Sequence, residues 1–212
     1  MGKNMQSSSQ QALYLHIRSP LVLLLSTTMV CGPAMAMPKM ASGPAMAIAI
    51  PQVVKSSCMI CHGMTGRDTI YPNVPRLAGQ RIKYLTRQLQ QYKDTNRADQ
   101  MGQIYMWPVA RSLDARQIAE VAKYFASQPP MRSSHDVHPG VTQGKAIFLQ
   151  GVPAAGIPAC MACHGVDAQG KGAFPRLAGQ RYQYIVDMTM GPGTQKLTPA
   201  QIHEIAAYLS SL

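Results

Sequence analysis

The strongest constraint on this chain is that it contains one pattern twice. Cys58-Met59-Ile60-Cys61-His62-Gly63 returns as Cys160-Met161-Ala162-Cys163-His164-Gly165, 102 residues later. The heptapeptide Pro75 to Arg81 (PRLAGQR) returns unchanged as Pro175 to Arg181, at an offset of 100. Leu113 to Ala126 (LDARQIAEVAKYFA) corresponds to Leu197 to Ser210 (LTPAQIHEIAAYLS), at an offset of only 84. Motifs recurring in one order mark two copies of a structural unit rather than one long domain. The drop from 100 to 84 means that the second copy lacks 16 residues between PRLAGQR and its last segment.

Periodicity gives the copies their class. Ile118, Val121, Ala122 and Phe125 recur at helical spacing, as do Ile202, Ile205, Ala206 and Leu209, so each copy closes with an amphipathic helix. Asp114 and Thr198 suit the N-cap, and Pro199 suits a first helical position. The region Ile82 to Tyr105 of copy one, which includes a helical stretch Tyr84 to Lys93, shrinks to Tyr182 to Thr189 in copy two, and Val141 to Leu149 reads as a helix opening the second copy. No alternating strand pattern is visible, so the expected fold is all-α. The Pro- and Ser-rich stretch after Ser127 reads as a linker. The expected organisation is a first domain over 37–126, a linker over 127–139 and a shorter second domain over 140–212.

The N-terminus has the build of an export signal. Lys3, His16 and Arg18 precede an apolar run from Leu21 to Val30, and Ala34-Met35-Ala36 follows as a small-residue cleavage pattern, with Ala45-Met46-Ala47 as a second. The run is shorter than the ~20 residues a membrane helix needs. Val30 is too bulky before Cys31 for lipoprotein cleavage. Residues 1–36 are therefore expected to be a signal peptide and the mature chain to be periplasmic. Cys31 leaves with the signal, so Cys58, Cys61, Cys160 and Cys163 remain, all in C-x-x-C-H motifs.

That pentapeptide suits covalent attachment of haem. Two thiols three residues apart reach neighbouring vinyl groups of one macrocycle, and the next residue places an imidazole under its iron. A redox disulfide would sit in a β-α-β setting, which is absent, and a zinc ribbon would space its pairs far more closely. Two motifs imply two covalently bound haem c groups, with His62 and His164 as axial ligands. Domains below about 100 residues bury little surface alone, and a haem supplies an apolar slab around which helices close.

A thioether on the opposite iron face raises the potential and closes the site. The chain has 15 Met, so position must choose. Met106 lies seven residues before Leu113 and Met190 seven before Leu197, each followed by a proline two residues on, Pro108 and Pro192. A loop methionine just ahead of the final helix is the expected ligand in each copy. Met101 competes with Met106. For the second site Met188 and a sixth position left to water compete with Met190.

The paired C-x-x-C-H motifs, the twice-used PRLAGQ and the closing helices resemble cytochrome c4, a di-haem class I c-type cytochrome, over nearly the whole mature chain. The resemblance implies two tandem class I cytochrome c domains with haems near their interface, His62 and His164 as proximal ligands, and Met106 and Met190 as distal ones. It further implies that the Pro75 and Pro175 carbonyls accept a hydrogen bond from the ligand histidines, and that Arg76 and Arg176 lie near haem propionates. Such proteins pass electrons from a quinol-oxidising complex or a small donor protein to a terminal oxidase. The shortened second copy departs from the pattern.

Charge bears on partners. The chain carries 20 Lys+Arg against 9 Asp+Glu, formally +11. Residues 37–134 hold 13 basic and 5 acidic residues, and residues 135–212 hold 5 and 4, so the first domain carries nearly all the excess. Export argues against nucleic acid, and a basic face suits an acidic redox protein or an anionic membrane surface. Lys83, Arg87, Lys93, Arg97, Arg111 and Lys123 are the candidates for such docking. The leading expectation is an electron carrier rather than an enzyme. The alternative is a haem enzyme, a peroxidase or sulfur-compound oxidoreductase, working at a labile second iron.

Overall fold

A computed structural model describes residues 48–97, 99–130, 133, 137–189 and 196–212. The expected signal peptide, both cleavage patterns and Cys31 lie outside the described residues, as does Met190. Among the described residues the elements are helical, with only two isolated β-bridges, Val152 to Ile157 and Lys171 to Phe174. None of these helices is long and apolar enough to cross a membrane.

The first half opens with a π-helical turn, Val54–Cys58, that runs directly into α1 (Met59–His62). The helices α2 (Ile82–Lys93), α3 (Gln100–Ala110) and α4 (Ala115–Ser127) follow. Val54, Leu85, Val121, Ala122, Tyr124 and Phe125 form its core, so the apolar stripe read in the closing segment is the stripe that is buried. The Tyr124 hydroxyl donates to the Met64 carbonyl at 3.0 Å, tying α4 to the loop just beyond the C-x-x-C-H motif.

The second half comprises α5 (Val141–Gln150), a 3-10 turn at Pro153–Ala155, α6 (Met161–His164), α7 (Tyr182–Met188) and α8 (Pro199–Ser210). Phe148, Ile157, Ala168, Ala178, Ile185, Leu197, Ile205, Ala206, Tyr208 and Leu209 form its core. Asp114 and Thr198 both close capping boxes, each accepting from the backbone N–H three residues on while Gln117 or Gln201 reaches back. The shortening of the second copy is spread over two places: α7 has 7 residues where α2 has 12, and Pro199 follows Met188 by 11 positions where Ala115 follows Lys93 by 22.

Helices α5 and α8 cross with their backbones in contact at Gly144. A Cβ there would lie 1.9 Å from the Glu204 carbonyl oxygen and 2.9 Å from Tyr208 Cβ. Gly144→Ala is therefore expected to push α5 off α8 and destabilise the second half by about 1–3 kcal/mol, as over-packing does. A denaturant midpoint indistinguishable from wild type would contradict this close approach.

Candidate functional site

Each C-x-x-C-H motif folds as a single turn that puts its functional atoms on one side. Cys58 and Cys160 are the N-cap residues of α1 and α6, so Cys61 and His62, and Cys163 and His164, follow at i+3 and i+4 on the same face. Gly63 and Gly165 end these turns at φ +71° and +83°, a backbone region that favours glycine and turns the chain sharply away. None of the four cysteines is joined to another in a disulfide, which leaves each pair for thioether bonds. Among the described residues no three His, Cys, Asp or Glu side chains gather as a metal set, so the two cysteine pairs do not combine into one zinc cluster.

The histidines are oriented alike. His62 Nδ1 lies 2.9 Å from the Pro75 carbonyl oxygen, and His164 Nδ1 lies 3.0 Å from that of Pro175. A carbonyl can only accept, so Nδ1 carries the proton and Nε2 keeps its lone pair for a metal. His62 is buried, and burial holds its imidazole below the ordinary value against the upward pull of the Pro75 carbonyl. A neutral imidazole is the form that can ligate a metal through Nε2. Burial pushes the Cys58 thiol up to about 11, its own backbone hydrogen bond working the other way, and burial likewise raises Cys160.

The surroundings match a large apolar ring. Ile70 and Tyr71 are exposed, and the Ile70 N–H donates to the Cys61 carbonyl at 3.3 Å, which places that apolar surface beside the motif. In the second half the exposed Phe174 ring stands edge-on to the His164 ring at 5.9 Å. Two thiols, an imidazole with a free Nε2 and flanking apolar side chains form a donor set and surface that fit haem c in each half.

The distal candidates are placed unequally. Met106 is half-buried but lies inside α3, not in the expected loop. Asp99 caps that helix by accepting from the Gly102 N–H at 2.8 Å, and Pro108 is carried within it rather than ending it. Met101 sits in the first turn of the same helix and is exposed. The Met188 sulfur is 3.3 Å from Arg97 Nη2, so that rival already has a polar neighbour.

Arg76 and Arg176 were expected near propionates. The Arg76 guanidinium donates to the Arg67 carbonyl at 3.1 Å and, across the halves, to the Gly179 carbonyl at 2.6 Å. Burial lowers the Arg176 guanidinium below its ordinary value. Of the proposed docking cations, Lys93 donates to the Leu113 carbonyl and Arg87 to the Ala173 carbonyl. Arg97 pairs with Asp99 at 3.2 Å in a nearly buried site. Lys83, Arg111 and Lys123 are exposed, Arg111 lying over the Trp107 ring.

Two residues escaped the sequence reading. Gln80 and Gln180 are 4% and 3% exposed, and each reaches across to the opposite half. Gln180 Oε1 accepts from the Arg76 N–H at 2.8 Å and its Nε2 donates to the Arg76 carbonyl at 3.1 Å. Gln80 treats Arg176 in the same way, at 2.7 and 2.9 Å. The exchange has the reciprocity of a two-fold interface. Arg181 adds a one-sided contact, its guanidinium donating to the Thr69 hydroxyl and carbonyl. The available signal was a polar residue kept identical in both copies of an otherwise turn-forming motif.

Comparison with known proteins agrees with this geometry. The family model described as Cytochrome c matches residues 48–129 and 141–187. Cytochrome c-552 of Acidithiobacillus ferridurans is 52% identical over 204 residues, covering 90% of this chain and 86% of that protein. Cytochrome c4 of Pseudomonas aeruginosa is 34% identical over 197 residues, covering 90% and 91%. A solved cytochrome c4 of Acidithiobacillus ferrooxidans, 56% identical, covers 74% of this chain and 99% of its own, with a TM-score of 0.71. Two like-built thiol–imidazole turns, repeated in tandem and matched along their length, mean that the chain belongs to the cytochrome c family in its di-haem c4 form, with two haem c groups bound covalently.

Proposed function

We propose that this di-haem electron-transfer cytochrome is an exported periplasmic carrier. It would move single electrons from a quinol-oxidising complex or a small donor protein to a terminal oxidase, with exposed first-half cations steering encounter with an acidic partner or a membrane surface. The observation that carries the reading is the matched pair of histidines, each donating Nδ1–H to a proline carbonyl beside two cysteines that form no disulfide. When bound, each haem supplies a one-electron iron couple.

In this reading the chain's residues divide the work. Cys58 and Cys61, and Cys160 and Cys163, anchor the two groups. His62 and His164 present Nε2, held in orientation by Pro75 and Pro175. Met106 and Met190 supply the opposite ligands and exclude small molecules, which favours electron transfer over substrate chemistry. Arg76 and Arg176, on the motif nearest both sites, offset propionate charge.

The reduced protein under carbon monoxide tests the choice between carrier and enzyme. Spectra unchanged at both haems are the expected result. Rapid binding at one haem would overturn the carrier reading and favour a peroxidase or a sulfur-compound oxidoreductase working at that iron.

A further inference from the structure

The interface glutamines touch the haem sites through one covalent unit. The Pro75 carbonyl that accepts from His62 and the Arg76 N–H that donates to Gln180 are the two ends of a single peptide group. The Pro175 carbonyl and the Arg176 N–H stand in the same relation between His164 and Gln80. Hydrogen bonds in series polarise one another, so an acceptor on the N–H makes the carbonyl at the other end a stronger acceptor. A stronger acceptor on Nδ1–H raises the basicity of Nε2 as a ligand.

We propose that Gln180 is a positioning and tuning residue for the first haem and Gln80 for the second, each acting on the iron of the opposite half. This rests on the reading of His62 and His164 as ligands. The run from Gln180 Oε1 to Arg76 N–H, Pro75 carbonyl and His62 Nδ1 has heavy-atom distances of 2.8 and 2.9 Å. Its counterpart from Gln80 to His164 has 2.7 and 3.0 Å. Both glutamines are almost fully buried, so water is poorly placed to replace them. The second contact of each amide, from Nε2 to the Arg76 or Arg176 carbonyl, prevents the side chain from rotating away.

The test is a crossed one on the full protein with both haems attached. Gln180→Ala is expected to raise the reduction potential of the first haem, because a weaker acceptor makes His62 a poorer donor to ferric iron, while the second haem shifts less. Gln80→Ala is expected to do the reverse. Potentials are followed haem by haem through hyperfine-shifted haem methyl signals, and the histidine Nδ1–H resonances are read in the reduced protein. Gln180→Glu keeps the side-chain length and makes the acceptor anionic, so it should lower the first haem's potential more than the second's. This variant and Gln80→Glu carry the same crossed test should alanine separate the halves. Equal shifts at both haems, a shift at the haem of the substituted half, or no shift would overturn the proposal. Absence of ring-current-shifted His62 and His164 signals in the wild type would overturn the ligand reading itself, and this proposal with it.

Discussion

Replacement of Cys58 and Cys61 together by alanine is expected to leave one haem of two and a first half that no longer folds. Val54, a fully buried residue of the first core, lies in the turn that carries Cys58, so the core and the attachment motif are built together. Beside the motif Ile70 and Tyr71 present apolar surface that a bound ring would cover. A domain of this size has little stability to spare, so losing its largest apolar partner removes the reason for its helices to close. The second core is built from its own residues and should persist. Mass spectrometry would show a single haem added, and far-ultraviolet circular dichroism a large fall in helix signal. Two haems retained, or an unchanged thermal transition, would contradict the assignment.

Met106→Ala should have the next largest effect. Met106 stands half-buried in α3, while Met101 is exposed in the first turn of that helix. With Met106 as the proposed distal ligand, removing its thioether is expected to let carbon monoxide bind the reduced first haem, where the wild type is expected to bind none, and to lower that haem's potential, since methionine ligation raises it. Met101→Ala should leave both properties near wild type. If Met101→Ala opened the iron and Met106→Ala did not, the two methionines would exchange roles.

The legible parts of the protein were those written in local chemistry. A thiol pair with an adjacent imidazole needs only five consecutive residues, so Cys58 to His62 and Cys160 to His164 could be read directly. The capping boxes at Asp114 and Thr198 and the buried stripe of α4 also follow from neighbours a turn apart. Local rules misled at Met106. Pro108 suggested a loop, yet a proline near a helix end removes only one hydrogen bond, and the Asp99 cap starts α3 far enough upstream to include both residues. Charge alone also did not reveal that three of the proposed docking cations have partners within the protein: Lys93 and Arg87 donate to carbonyls, and Arg97 pairs with Asp99 and reaches the Tyr184 hydroxyl. On Arg97 burial opposes the charge, and Tyr184, Tyr92 and Tyr84 together with Asp99 outweigh it, so the guanidinium is raised further.

Duplication, helical class and the four anchoring thiols were determined by the order of residues alone, because each depends on side chains adjacent along the chain or within one helical turn. Which polar groups meet across the halves was decided only in three dimensions. Gln80 and Arg176, or Gln180 and Arg76, are about a hundred residues apart. No periodicity links them, and only the apposition of the two PRLAGQ loops brings each buried amide onto the peptide that holds the other half's histidine.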